Sequence, residues 1–485
     1  MNESYQSGRG CDLSSSLATF LSGTLIRLFI FLICVSLGIA QVRAESLDGV
    51  WRSEGYGKIF QIQGSTLKTF EVTTSTCVAD GTALRDGSVS SSREATYNTA
   101  DGDVFFVRSG GSANQKILHF EGSASDVRID RIPQLPAFCE PPTPNTPPGN
   151  FEVFVRTWTE NYILFDQATI DWSAMVEKNR RKITSDTTAA ALFDILQGMI
   201  EPFHNHHTSI EAPDLKREFS TFRPGTEHLI KGNIEAFRKN EIPLLLSITD
   251  QAYFNTPLRK FCNGQLEYGH LDGSIGYLRI MRFWGYSDQR GFAAGLAVLQ
   301  SALDQIFSDT KLKALIIDVR LNSGGDDPYG LEIASRLATE DYVAYIKQAR
   351  SDAVDRNKWT PGDKSIVHPS SHPSFRGPVV ELIGPLTISA GETFTQSLMG
   401  RTPHVIRIGE NTQGVFSDVL GRSLPNGWRF GLPNEVFRTP EGAIFDGIGI
   451  PPDIESSVFS DADVRARRDP AMAVALEILG QKTGH

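Results

Sequence analysis

Near its start the chain alternates apolar and polar residues in short runs. Lys58-Ile59-Phe60-Gln61-Ile62 and Asp103-Val104-Phe105-Phe106-Val107 are two of them, set off by Gly, Ser, Asn and Asp turns. That period predicts short half-buried strands, hence a small β domain over residues 45–140. A proline-rich linker over 141–149 follows, with five prolines between Pro141 and Pro148. The spacing then becomes helical. Phe151, Phe154, Val155, Trp158 and Tyr162 share one face, as do Leu192, Ile195, Leu196 and Met199. These mark a helical subdomain over 150–215.

From 216 to the end the chain reads as an α/β domain. Ser274–Phe283 is strand-like. Phe292, Leu296, Leu299, Leu303 and Ile306 mark a helix face. Apolar strands are then expected up to Arg320, at 378–384 and at 404–408, with a last helix that starts at Asp469-Pro470 and stops at Gly480.

Length and charge narrow the function. The chain has 485 residues, enough for two or three domains, and a formal net charge of −10. No Lys/Arg run is dense enough for a nucleic-acid groove, so nucleic acid is not an expected partner. Leu28–Ala40 is an apolar run preceded by Arg27 and followed by Val42-Arg43-Ala44. It reads as a signal peptide over 1–44, with an uncleaved membrane anchor as the alternative. Either way the body is expected outside the cytoplasm, secreted or periplasmic. Beyond the leader stand Cys77, Cys139 and Cys262, and a Cys77–Cys139 disulfide is expected because both lie in one region. No CxxC or HExxH motif occurs, so neither a metal nor another cofactor is expected.

The candidate chemistry centres on Ser389. It follows the apolar run 378–384 and opens Ser389-Ala390-Gly391-Glu392, where a strand ends and a helix begins. A hydroxyl there projects beside the first helical N–H groups. The same four residues form a capping box with no chemistry of its own. The G-x-S-x-G elbow is absent, because Thr387 stands at its first position. Gly324 and Gly325 end a second strand, either as an oxyanion loop or as a plain turn. A nucleophilic serine needs a base. No lysine lies between Ser389 and Lys482, so a lysine shortly downstream is excluded. His204, His206 and His207 cluster after the helical segment, and His207 is the favoured base. A metal-binding tract or a solvated turn are the other readings of this cluster. Asp446 and Asp453 are acidic candidates to orient the base, or turn residues beside Gly and Pro.

These marks resemble the tail-specific, or C-terminal processing, peptidases. The match is nearer the branch with the tricorn protease core and the interphotoreceptor retinoid-binding protein repeats. It rests on His207-Thr208, Gly276–Ile280, Asp318–Gly325, Ser389–Glu392, Gly409–Gly414 and Gly449–Asp453, in that order. The resemblance implies a crotonase-like core of ββα units acting as a serine peptidase on proteins or peptides. Ser389 would be the nucleophile, His207 the base and Asp446 its orienting acid. Gly324 or Gly325 with Ala390 would form the oxyanion hole. Val415 stands where the processing branch has its lysine, and Asp446 where the tricorn-like branch usually has Glu. The stretch from His207 to Ser274 is too short for the family's PDZ domain with its linkers. The alternatives are an apolar-ligand carrier on the same fold, which would not need the serine, or an esterase using the same site.

Overall fold

Eight strands, β1 (Gly49–Ser53) to β8 (Asp126–Ile132), pair antiparallel in sequence order, and β1 also pairs with β8. The sheet therefore closes into a barrel. Trp51, Phe60, Ile62, Leu67, Tyr97 and Ile129 fill its interior, which is the inward half of the alternation in the sequence. Outside that core Cys77 is disulfide-bonded to Cys139, which ties the start of β4 (Cys77–Ser91) to the 3-10 turn Ala137–Cys139. Cys262 is a free, buried thiol. The computed structural model describes residues 47–483 except 92–93, 168–169, 231–232 and 272–273. The expected leader lies outside the described residues.

The linker leads into the Pro147–Asn161 helix. Thr146 caps it by accepting the Gly149 N–H, and Pro147 takes the first turn, where no N–H is needed. Its Phe151, Phe154 and Trp158 pack with the Trp172–Arg180 and Ala189–Ile200 helices. Strands β9 (Ser209–Ala212) and β10 (Arg217–Ser220) follow as a hairpin. The boundary read at 215/216 falls inside this hairpin.

The central sheet has the order β11 (Arg259–Phe261), β12 (Leu266–His270), β13 (Ile275–Ile280), β14 (Ala314–Asp318), β17 (Val379–Ile383), β18 (Ile406–Gly409) and β22 (Ile454–Glu455). The first two pairings are antiparallel and the rest parallel. Alternate residues of β14 serve opposite faces. Leu315 and Ile317 meet the Phe292–Phe307, Asp327–Ser335 and Ala390–Leu398 helices, while Ile316 meets the Pro470–Thr483 helix. A strand buried on both faces reads as a continuous apolar run, which is how Leu315-Ile316-Ile317 appears in the sequence. The remaining strands form two small sheets. β15 (Tyr342–Ala349) lies between β16 (Asp363–Val367) and β21 (Glu435–Arg438), and β9 pairs with β20 (Arg429–Pro433), which carries β19 (Val419–Ser423). The β9–β20 pairing brings the helical segment to the C-terminal third of the chain.

A buried ion cluster holds the last helix to β14. Arg320, 1% exposed, donates to Asp469 Oδ1 at 2.7 Å and to Asp318 Oδ2 at 2.6 Å, and Tyr277 donates to Asp318 as well. Asp469 also caps the helix by accepting the Met472 N–H. Removing one partner of such a pair leaves a buried charge uncompensated. Asp469→Ala is therefore expected to lower the unfolding free energy by about 3–5 kcal/mol in urea titrations. A loss below about 1 kcal/mol, the worth of a surface pair, would contradict this account.

Candidate active site

Strands β14 and β17 are parallel neighbours, so their C-terminal ends open on one edge of the sheet. Crevices at such ends are the usual ligand sites of α/β sheets. The chain after β14 makes the Asn322–Gly325 loop, and the chain after β17 makes the Thr387–Ser389 turn. Buried Thr387 joins them: its hydroxyl donates to the Val319 carbonyl at 2.9 Å and accepts the Gly384 N–H. This is work a glycine in that position could not do. Asn322, fully buried, makes the second link. Its carbonyl accepts the Ile388 N–H, its Nδ2 donates to Ile280 O, and its Oδ1 accepts the Gly324 N–H.

Ser389 lies on this turn with φ 55° and ψ −121°, a region that non-glycine residues avoid at a cost of about 1–3 kcal/mol. Its N–H donates to Glu392 Oε2. Gly324 stands directly against it: a Cβ on Gly324 would come within 2.7 Å of the Ser389 Cβ. Since the Gly324 N–H is held by Asn322, the donors left without an acceptor among the described residues are those of Gly325 and Ala390. Gly325 is exposed, and its φ of 136° with Phe283 O behind it admits no side chain.

Glu392 does more than close a capping box. Its buried carboxylate accepts the Thr412 hydroxyl at 2.6 Å and the N–H groups of Gly414 (2.5 Å), Val415 (2.8 Å) and Ser389 (3.2 Å). Burial pushes its pKa up to about 7, against the pull of these donors. The loop it grips continues to Phe416, Ser417 and Asp418.

That continuation is where His207 and Asp446 lie. His207 is 7% exposed, and its N–H donates to Asn205 Oδ1. Burial lowers its pKa to about 4, while the Asp418 carboxylate and the Ser417 carbonyl act to raise it. The ring is therefore neutral at pH 7. Asp446 accepts the Phe416 N–H at 3.0 Å, and burial pushes its pKa up to about 8. His207 Nδ1 and Asp446 Oδ2 are both without hydrogen-bond partners. The structure thus brings both residues to the 416–418 segment without joining them to each other, and no hydrogen bond joins His207 to Ser389. The carboxylate that acts on His207 is Asp418. Of the other candidates, His206 stacks on Phe222 at 4.0 Å, His204 is exposed, and Asp453 is bound to Arg407.

Four polar residues beside the site went unread in the sequence. Asn322 sits within a flagged glycine loop but carries no motif of its own. Lys347 is buried between Asp418 and Glu435, which hold it charged, so it is not a free base. Asp418 and Glu435 have no local signature, since only the folded chain places them together. No group of three or more His, Cys, Asp or Glu is arranged to hold a metal ion among the described residues.

With this geometry in view, residues 274–456 match Peptidase family S41. Residues 143–201 match the Tricorn protease C1 domain. A carboxy-terminal-processing protease of Bartonella bacilliformis is 26% identical over 184 residues, 38% of this chain and 39% of that protein. The chain thus spans well under half the length of this curated relative. The crystal structure of a putative peptidase from Parabacteroides merdae aligns with a TM-score of 0.56 at 24% identity, over 69% of this chain and 97% of that one, and shows the fold. Ser389, both glycines, Glu392 and Asp446 lie inside the S41 segment. His207 lies before it, carried in by the β9–β20 pairing.

The His207 shift has a consequence for stability. The unfolded chain protonates this ring near 6.5, the native one near 4, so the stability it contributes is present above pH 6.5 and lost as pH falls toward 4. Between pH 6.5 and 5 the loss should be about 2 kcal/mol. Urea titrations at both pH values are expected to show a shallower decline for His207→Gln than for the parent. Equal declines would contradict the buried neutral ring.

Proposed function

We propose that this chain is an exported serine peptidase that cleaves peptide bonds in proteins or peptides. One observation carries the reading: Ser389 is held in a strained turn against Gly324, with two N–H donors beside it that have no acceptor. Ser389 Oγ attacks the substrate carbonyl. The N–H groups of Gly325 and Ala390 take the oxyanion that forms, and removal of one such donor costs about 3 kcal/mol of transition-state stabilisation. His207, neutral at pH 7, takes the serine proton and gives it to the leaving amine. Water then repeats the cycle on the acyl-enzyme. His207 and Ser389 close on each other when substrate binds, since catalytic hydrogen bonds are commonly long before then. Asp446 holds the 416–418 segment through the Phe416 N–H and so positions the face that His207 packs on.

The finer fold reading is a crotonase-like core over 216–485, supported by the parallel strands alternating with helices at 292–307, 327–335 and 390–398. The barrel over 45–140 and the helices over 150–215 are its attached parts. Export is supported by the apolar run at 28–40 and by the disulfide. No described helix is long and apolar enough to cross a membrane.

The test is cleavage of casein by the purified protein beside Ser389→Ala and His207→Ala. Each variant should fold normally by circular dichroism and lose about 10⁴-fold in kcat/KM. Cleavage that survives Ser389→Ala would overturn the nucleophile. A parent that cleaves no protein or peptide would overturn the peptidase.

A further inference from the structure

The Gly325 end of the loop borders a cavity of about 430 Å³ between the barrel and the S41 domain. The barrel strands and the loop after β7 (Gln115–Phe120) form one wall, and residues 325–327, Lys347 and the 418–421 and 434–435 segments form the other. Five carboxylates line it: Glu121, Asp326, Asp327, Asp418 and Glu435. Its two lysines are already matched. Lys347 is held by Asp418 and Glu435, and Lys58 by Glu71 and Asp80, which lie outside the lining. Negative charge is left over on Asp326 and Glu121, while buried Asp327 accepts the Thr393 hydroxyl. The barrel loop approaches Asp326 closely, since a Cβ on Gly122 would stand 3.6 Å from its carboxyl carbon.

A second observation concerns Asn434, which also lines the cavity. It is 1% exposed, and its Nδ2 has no hydrogen-bond partner. A buried amide donor of this kind calls for an acceptor such as a peptide carbonyl. Burial, with the Asp418 and Glu121 carboxylates nearby, pushes the Asp326 pKa up to about 6. A cationic guest would relieve the repulsion from those carboxylates.

We propose that this cavity is a substrate subsite that takes a lysine or arginine side chain of the peptide, next to the scissile bond held at Gly325. The cation meets Asp326 and Glu121, and a backbone carbonyl of the same peptide meets Asn434. The barrel is then part of the specificity machinery, because Glu121 belongs to it. This rests on the peptidase reading above, which identifies Gly325 as the edge of the reacting centre.

The test is binding, read in the non-cleaving Ser389→Ala protein so that it does not depend on turnover. Fluorescence anisotropy compares labelled pentapeptides with a central Lys, Ala or Glu on an alanine background. The Lys peptide is expected to bind about tenfold or more tightly than the Ala peptide, with the Glu peptide weakest and the preference shrinking as salt is raised. Adding Asp326→Asn should remove most of the preference. Glu121→Gln, on the barrel and away from the Ser389 turn, should reduce it in a protein whose circular dichroism is unchanged. Equal affinity for Lys and Ala peptides, or a Lys preference untouched by both substitutions, would overturn the subsite. Failure of the peptidase reading shows separately, as a parent protein that binds the Lys peptide but leaves it and casein uncut.

Discussion

The buried Glu392 carboxylate is the constraint on which the site depends. Four donors from three places in the chain converge on it: the Ser389 N–H, the Thr412 hydroxyl, and the N–H groups of Gly414 and Val415. The Thr412 oxygen also accepts the Ile450 N–H, which brings the 449–453 turn into the same network. One side chain therefore sets the Ser389 turn, the loop toward His207, and the approach to Asp446. A glutamine there would offer two hydrogens to neighbours that are themselves donors. The isolated burial of a carboxylate is expensive, and only this full set of donors makes it tolerable.

Ser389 illustrates how strain is kept in place. A positive φ at a serine persists only where neighbouring structure over-determines it. Here the Ile388 N–H is held by Asn322, the Thr387 hydroxyl by Val319, and the Ser389 N–H by Glu392. Two of these bonds tie the turn to the segment after β14, and the third ties it to the helix that follows. The turn cannot relax without breaking a bond at a buried position, where the loss is about 1–3 kcal/mol each. The N–H groups of Gly325 and Ala390 are left beside that rigid turn without acceptors.

Much of this was legible in the sequence where the signal is local. The apolar runs before Arg320 and at 378–384 became β14 and β17, and the helix periods became the helices at 147–161, 189–200 and 292–307. Ser389 and the two glycines stood out as candidates because strand ends and glycine loops have short signatures. What could not be read depends on contacts far apart in the chain. Closure of the barrel rests on β1 meeting β8, and the place of His207 rests on β9 meeting β20. Asp418 was invisible for the same reason: nothing near it in sequence announces Lys347 on β15 or His207 after the helices. The absent glycine at Thr387 excluded one elbow motif, yet nothing local to it announces that its hydroxyl straps the ends of two strands together.

A proline-rich linker follows the barrel, and by composition alone it would suggest a loosely tethered module. The barrel's contacts argue otherwise. The Tyr56 hydroxyl donates to Glu435 at 2.7 Å, Arg422 donates to the Tyr56 carbonyl, and Glu71 accepts the Ser423 N–H at 2.7 Å. Thr74 binds Glu160 on the first helix through its N–H and its hydroxyl. Arg422, Glu71 and Glu435 are all buried, so sliding the barrel would strand charges without partners. Buried polar contacts of this kind add little net stability against an apolar junction, but breaking one side of them costs several kcal/mol. Such a junction selects one docking geometry over others. Because Glu435 also pairs with Lys347, which reaches Asp418 and through it His207, the barrel's position is coupled to the candidate base as well as to the cavity wall.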